Sequence, residues 1–328
     1  MRSMVSALLM LIPLFSIAQK NFNNYFQFYP IGDDPNIGYR TSIIPSEKLI
    51  FEANPNVRYS FYNNIQKGLL NEKTQNHVSA WYVAFRPQIR MYDRASLPVV
   101  MPSYRVFLGT QHMFRLKNDN FLSFSLESGH YSNGQSGSAF SETLVDGTKE
   151  SEALYNDITP ETNLSAILNR KSGNFSTNLT ELLFNYRNNH YSDNIPVRVH
   201  SITGGLVFYH NRFLGIGKFG GYSANDIKLY GRYRWQLGYE FTKQLTNFRY
   251  SIAEKMELIG GAHPSVEPFR SETIASVYPF KSMQALGFFV NYTFGHDNYN
   301  YRFVDSGSNL FFGVTWSGFP PFAMKGDL

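Results

Sequence analysis

Between Ile227 and Phe241 the chain alternates, residue by residue, between two kinds of surface. Ile227, Leu229, Tyr233, Trp235, Leu237, Tyr239 and Phe241 fall on one side; Lys228, Tyr230, Arg232, Arg234, Gln236 and Glu240 fall on the other. A period of two belongs to an extended strand with one apolar and one polar face. At about 3.4 Å per residue such a strand is long enough to cross a bilayer at a tilt. Trp81 to Met91 repeats the pattern, with Trp81, Val83, Phe85, Ile89 and Met91 opposed to Tyr82, Arg86, Gln88 and Arg90. Leu286, Phe288, Val290, Tyr292 and Phe294 make another apolar face, as do Leu310, Phe312, Val314 and Trp316.

Composition points the same way. The 22 Tyr and 29 Phe bring aromatics to 16%, yet the mean hydropathy is −0.30. Beyond the N-terminus no stretch approaches the ~20 apolar residues of a membrane helix. A chain that is aromatic-rich, polar on average and without helical spans suits strands that face lipid at every second residue. Met1-Arg2-Ser3, the apolar run to Ile17 and the small residues of Ser16-Ile17-Ala18 before Gln19 have the form of a secretory signal. There is no cysteine, which removes lipid anchoring, disulfides and thiol chemistry. The net charge of +5 is spread over scattered Lys and Arg rather than clustered, which argues against a nucleic-acid partner.

Tight turns at 117–120 and 243–246 alternate with longer polar connections at 93–102, 135–173, 211–224 and 295–308. Short turns on one side and long loops on the other are the habit of outer-membrane barrels. The expected fold is all-β, a transmembrane antiparallel β-barrel of about twelve strands in a Gram-negative outer membrane. The expected divisions are a signal peptide (1–18), an N-terminal segment with the first strand (19–46), the barrel (47–319) and a C-terminal tail (320–328).

Residues 121–137 carry the chemistry: F-L-S-F-S-L-E-S-G-H-Y-S-N-G-Q-S-G. Leu122, Phe124 and Leu126 set an apolar face, and Ser128, His130 and Ser132 share its parity. His130 and Ser132 therefore project to the lipid side near the outer end of the strand, about 6–7 Å apart at Cα. That spacing lets an imidazole reach a hydroxyl. The plain reading is two polar residues at head-group level. The chemical reading starts from the cost of an ionisable group on a lipid-facing position, which calls for a partner or a task.

H-x-S-N-G after an amphipathic strand resembles the outer-membrane phospholipase A family. So do Tyr104 with Phe107-Leu108-Gly109, the tight turn before Phe121, and G-H-D-N-Y-N at 295–300. The resemblance is best over residues 79–187. It implies ester hydrolysis of the phospholipase A1/A2 type on membrane phospholipids. Ser132 would be the nucleophile, His130 the base, Gly134 an oxyanion donor through its backbone N–H, and an Asn on the next strand the group that orients the ring. In S-T-N at 176–178, Asn178 shares parity with Leu182, Phe184 and Tyr186 and meets that requirement; Thr177 and Asn174 are the nearest alternatives. The resemblance also implies calcium at a homodimer interface. Gln135 would contribute its carbonyl, and Ser96 resembles the ligand that the second subunit gives. The family's acidic loop ligand is replaced by Gly137, with Ser138 and Ser141 as substitutes. The 135–173 loop is much longer than the family's.

Two other functions compete. Lipid A deacylases also carry H-x-S-N, with Glu as third member, and Glu142 follows in the loop. A porin-like or transport barrel would use the polar face of Lys228, Arg232, Arg234 and Glu240, although a lumen filled by ion pairs would use it equally. The remaining histidines lack the spacing of a zinc site, and no phosphate-binding glycine loop is visible.

Overall fold

A computed structural model of the chain describes residues 31–316, except 33, 45–46, 66–75, 94–98, 100–101, 193–194, 214–215 and 281–285. The expected signal peptide and C-terminal tail lie outside the described residues.

Strands dominate. The first five are β1 (Asn36–Arg40), β2 (Leu49–Asn54), β3 (Val57–Asn63), β4 (His77–Phe85) and β5 (Ile89–Tyr92). Longer strands follow: β6 (Tyr104–Arg115), β7 (Phe121–Ser132), β8 (Ser176–Ser192) and β9 (Ile195–His210). A short hairpin, β10 (Arg212–Phe213) and β11 (Gly217–Lys218), interrupts the series. The last five are β12 (Gly231–Gln244), β13 (Arg249–Ala262), β14 (Phe269–Tyr278), β15 (Leu286–His296) and β16 (Ser306–Trp316). No helix among the described residues is long and apolar enough to cross a membrane.

All but the hairpin join one sheet of 14 segments, in the order β3-β4-β6-β7-β8-β9-β12-β13-β14-β15-β16-β1-β2-β5. Only Pro55 and Asn56 separate β2 from β3, and only Arg86, Pro87 and Gln88 separate β4 from β5. Proline has no N–H to give the ladder, so each break is local. Counted across these breaks, the 14 segments are twelve strands. β2 pairs β5 as β3 pairs β4, and the bridges Gln88↔Ser103 and Met91↔Val99 carry β5 onto the chain before β6. The ends of the order thus meet through chain continuity, as a barrel requires.

The two faces divide as the alternation predicts. Tyr233, Trp235, Leu237 and Tyr239 are exposed on β12, as are Trp81, Val83 and Phe85 on β4, and Phe288, Val290, Tyr292 and Phe294 on β15. A belt of bare aromatic and aliphatic side chains around the outer wall is a lipid-facing surface. Inside, charges pair across the lumen: Glu52 with Arg40 at 2.8 Å and Arg90 at 2.6 Å, and Arg90 with Asp297 at 2.6 Å. Glu127 accepts from Arg86 at 2.5 Å and from Tyr82 at 2.7 Å.

One expected strand is corrected. The segment from Ile227 is not extended: Ala224–Tyr230 form a helix, and β12 begins at Gly231. The cause is a local start signal that the alternation concealed. Ser223 Oγ accepts from the Asp226 N–H at 3.1 Å while Asp226 accepts from the Ser223 N–H at 2.9 Å, a reciprocal capping box. Gly231 ends the helix at φ +73°, a conformation that glycine tolerates.

The long connections fold over one mouth of the barrel. Residues 133–175 contain two short helices, Lys149–Asn156 and Leu164–Ile167. They share one buried cluster (Phe140, Leu164, Leu168, Phe175, Tyr222, Tyr230, Tyr301 and Phe303) with the 211–230 and 297–305 loops. Arg234 rises from the wall into this cluster, its guanidinium 4.4 Å from the Tyr209 ring and 4.7 Å from Phe303. Arg170 pairs with Asp305 at 2.6 Å. The 135–173 loop is therefore a packed cap, tied to the 297–305 loop by Arg170.

Candidate functional site

His130 and Ser132 stand at the end of β7, just before the cap begins. Along β7 the odd-numbered residues are buried and the even-numbered ones partly or fully exposed, so both residues face outward. β7 and β8 run antiparallel with His130 opposite Asn178 and Ser132 opposite Ser176. Direct cross-strand partners have side chains within reach of each other.

The contact forms. His130 Nδ1 lies 3.0 Å from Asn178 Oδ1, and Asn178 Nδ2 donates to the carbonyl of Phe219 at 2.6 Å. A carbonyl only accepts, so the second bond fixes the amide with its oxygen toward the ring. That oxygen in turn accepts, so Nδ1 carries the proton and Nε2 is turned away from the amide. Asn178 is fully buried. The two alternatives are engaged elsewhere: Thr177 Oγ1 donates to the Asn178 carbonyl at 3.0 Å, and Asn174 donates to Asp146 at 2.7 Å.

Three further groups shape the site that sequence reasoning did not single out. The chain after β11 lies on the histidine, with the Phe219 ring 5.4 Å from the His130 ring and Ser176 Oγ donating to the Gly220 carbonyl at 2.7 Å. Gly220 has φ +49°, and a Cβ there would stand 2.6 Å from His130 Cε1. The glycine pair 220–221 inside a polar loop was the available signal. Asn133, buried and next to Ser132 in sequence, accepts from the N–H of Phe175 at 2.9 Å and of Gln135 at 3.2 Å, and donates to the Gly173 carbonyl at 2.7 Å. It pins the turn in which Gly134 adopts φ +66°, with open space on its Cβ side.

The expected calcium ligands fare differently. One Asn169 side-chain nitrogen donates to both the Ser138 carbonyl, at 2.9 Å, and the Ser141 carbonyl, at 2.8 Å. Ser138 is completely buried. Gln135 stays in the turn after Gly134, and Ser96 lies outside the described residues. A hard cation takes about 6–8 oxygens, usually with carboxylates among them. Gln135, Ser138 and Ser141 supply no carboxylate, and two of their carbonyls are committed to Asn169, so this set does not fit calcium. Among the described residues no group of three or more His, Cys, Asp or Glu is placed to hold a metal. Glu142 pairs with Lys171 at 2.5 Å on the exposed side of the cap.

No family model and no curated protein matches the sequence. Among solved structures the chain is similar to outer membrane phospholipase A from Escherichia coli, at 11% identity and TM-score 0.50, over 89% of this chain and 93% of that one. It is also similar to a Salmonella typhi outer membrane phospholipase dimer with bound calcium, at 10% identity and TM-score 0.49, covering 91% and 96% of the two chains. LpxR from Salmonella typhimurium matches more distantly, at 8% identity and TM-score 0.35, over 82% and 88%. The first of these likenesses shows a shared fold, the outer-membrane phospholipase A barrel.

Proposed function

We propose that this chain is an outer-membrane lipid esterase that hydrolyses acyl esters of phospholipids with Ser132, His130 and Asn178. One observation carries the reading: an imidazole on the lipid face of the wall bonds a buried amide whose orientation a second bond fixes, two residues from a serine. A merely polar patch at head-group level has no need of a fixed tautomer.

Ser132 Oγ attacks the ester carbonyl of a lipid arriving laterally, while His130 Nε2 takes its proton. The oxyanion forms opposite Gly134, whose N–H has no hydrogen-bond partner among the described residues. As the intermediate collapses, Nε2 returns the proton to the glycerol oxygen that leaves. Water then enters and gives a proton to Nε2 while its oxygen attacks the acyl carbonyl; as this second intermediate collapses, Nε2 returns the proton to Ser132 Oγ and the fatty acid leaves. Asn178 stabilises the ring through a neutral hydrogen bond. No hydrogen bond joins His130 to Ser132 in the resting arrangement among the described residues, as is common before substrate binds.

No step is assigned to calcium, because Gln135, Ser138 and Ser141 do not compose a site for it. A homodimer fits the outward position of the triad, which a second copy could approach along the bilayer plane. The deacylase alternative loses its third member to the Lys171–Glu142 pair, and the paired lumen weighs against a pore.

The test is fatty-acid release from phospholipid by the detergent-purified protein, with and without calcium. Ser132→Ala is expected to lower the rate at least about a thousandfold. If it matches wild type under both conditions, the esterase reading fails.

A further inference from the structure

A groove of about 620 Å³ opens on the outer wall beside the triad. Leu182, Leu206 and Phe208 line its deeper part; His210, Arg212 and Arg232 line the end nearer the cap. The β8–β9 register orders these residues by depth. Asn178 faces His210, Thr180 faces Phe208 two residues deeper, and Leu182 faces Leu206 two deeper again. The groove thus starts at the level of the His130–Asn178 pair and runs inward along the lipid face.

Its surface is not that of an ordinary lipid-facing wall. Ser128 Oγ lies 3.0 Å from Thr180 Oγ1, which lies 3.0 Å from His210 Nε2, a polar chain across three strands. The Arg232 guanidinium stands 5.6 Å over the Phe208 ring. The lining holds two guanidiniums and an imidazole and no carboxylate. Polar and cationic groups on a barrel's lipid face are costly, falling toward zero near the interface, and this set is concave and of one sign.

We propose that the groove binds the substrate glycerophospholipid itself, its phosphodiester at Arg212 and Arg232 and one acyl chain along Phe208, Leu206 and Leu182. Guanidinium matches phosphate in charge and in bidentate geometry. The apolar floor continues in the direction that an acyl chain takes from the head-group level into the bilayer. Arg232 is carried by β12, but its guanidinium reaches back over Phe208 of β9, and β9 lies two strand spacings from β7, about 10 Å. That separation is comparable to the reach of a glycerol backbone from its phosphate to an acyl ester, so an anchored phosphate leaves the ester at Ser132.

The inference rests on the esterase reading, and a binding measurement separates the two. Trp235 on β12 is opposite Leu206, which puts its outward indole at the groove's edge. Two of the three tryptophans are removed as Trp81→Phe and Trp316→Phe, and the protein is titrated in neutral detergent with a short-chain, non-hydrolysable diether phosphatidylcholine. Saturable change of Trp235 fluorescence is expected, with the midpoint weakened about tenfold in Arg212→Gln/Arg232→Gln and only partly restored by the charge alone in Arg212→Lys/Arg232→Lys, while a phosphate-free dialkylglycerol shows no arginine dependence. In turnover, the kcat/KM ratio of phospholipid to a neutral acyl ester is expected to fall about tenfold in the glutamine variant. Phospholipid binding that ignores both arginines, or an unchanged ratio in an active enzyme, overturns the groove assignment. Arginine-dependent binding in a protein whose hydrolysis ignores Ser132→Ala sustains the groove and removes the esterase.

Discussion

The amide of Asn178 donates to the carbonyl of Phe219 at 2.6 Å, and that one bond decides which end of the amide faces His130. The same contact makes the chain after β11 a part of the site, because Phe219 holds the group that holds the imidazole. Asn178→Ala removes the acceptor from Nδ1 and releases the ring's tautomer. Its kcat is expected to fall about 10–100-fold with KM little changed, the mark of an interaction worth most in the transition state. Asn178→Asp keeps an acceptor and is expected to retain more activity. Steady-state kinetics on one phospholipid checks both, and a rise in KM alone would assign Asn178 to substrate binding instead.

Gly220 gives a second handle on the same device. Its φ of +49° disfavours any side chain, and a Cβ would stand 2.6 Å from His130 Cε1 and 2.7 Å from Ser176 Oγ. Gly220→Ala must therefore move either the loop or the imidazole, at a cost of about 1–3 kcal/mol. The expected result is a kcat loss of about tenfold or more with the thermal transition of the barrel unchanged, since the wall itself is untouched. Wild-type kcat in Gly220→Ala would show that the Phe219–Gly220 segment does not position the ring.

How much of this was legible beforehand depended on what each residue's neighbours were. The outward parity of His130, Ser132 and Asn178 was readable because a strand's period of two is fixed by its backbone. The pairing of His130 with Asn178 needed the register of two strands separated by a long loop, and parity narrowed that choice without settling it. Phe219 and Asn133 were not readable as site residues, and Gly220 only as half of a glycine pair, because what they offer His130 and Gly134 is tertiary: a carbonyl, a buried amide and a gap. Ile227–Tyr230 misled for the opposite reason. Four residues alternate as well in a single helical turn as in a strand, and only Ser223 and Asp226 distinguish the two. Ser138 and Ser141 looked like oxygen donors until Asn169, nearly thirty residues on, claimed both carbonyls.

The helix of residues 224–230 carries a pH signature. Burial holds the Asp226 carboxyl above its ordinary value of 3.8, partly offset by the Ser223 hydrogen bonds and reinforced by nearby Asp146. A raised folded pKa means that the folded cap binds the proton more tightly than the unfolded chain does. The corresponding stability is fully present below pH 3.8 and is lost as pH rises through the folded value. Protection of the Ile227–Leu229 amides in hydrogen exchange, corrected for intrinsic rates, is therefore expected to fall across that window. Asp226→Asn keeps an acceptor for the Ser223 N–H and is expected to flatten the profile. An unaltered profile in that variant would place the titration on another group.

The lumen makes a separate prediction, because its charges are structural in this reading rather than a conduit. Glu52 is almost wholly buried between Arg40 at 2.8 Å and Arg90 at 2.6 Å, and Arg90 continues to Asp297. Removing the charge at the centre of such a chain leaves the Arg40 guanidinium desolvated without its carboxylate and Arg90 held by Asp297 alone. Breaking a buried pair costs about 3–5 kcal/mol, far more than an exposed pair is worth. Glu52→Gln, which is nearly isosteric and keeps an acceptor, is expected to lower the urea midpoint of the detergent-solubilised barrel clearly. The exposed Lys171–Glu142 pair on the cap is the control, and Glu142→Gln is expected to move the midpoint little. A Glu52→Gln midpoint equal to that of Glu142→Gln would mean that water reaches the lumen pairs freely, and the pore class would then regain its case.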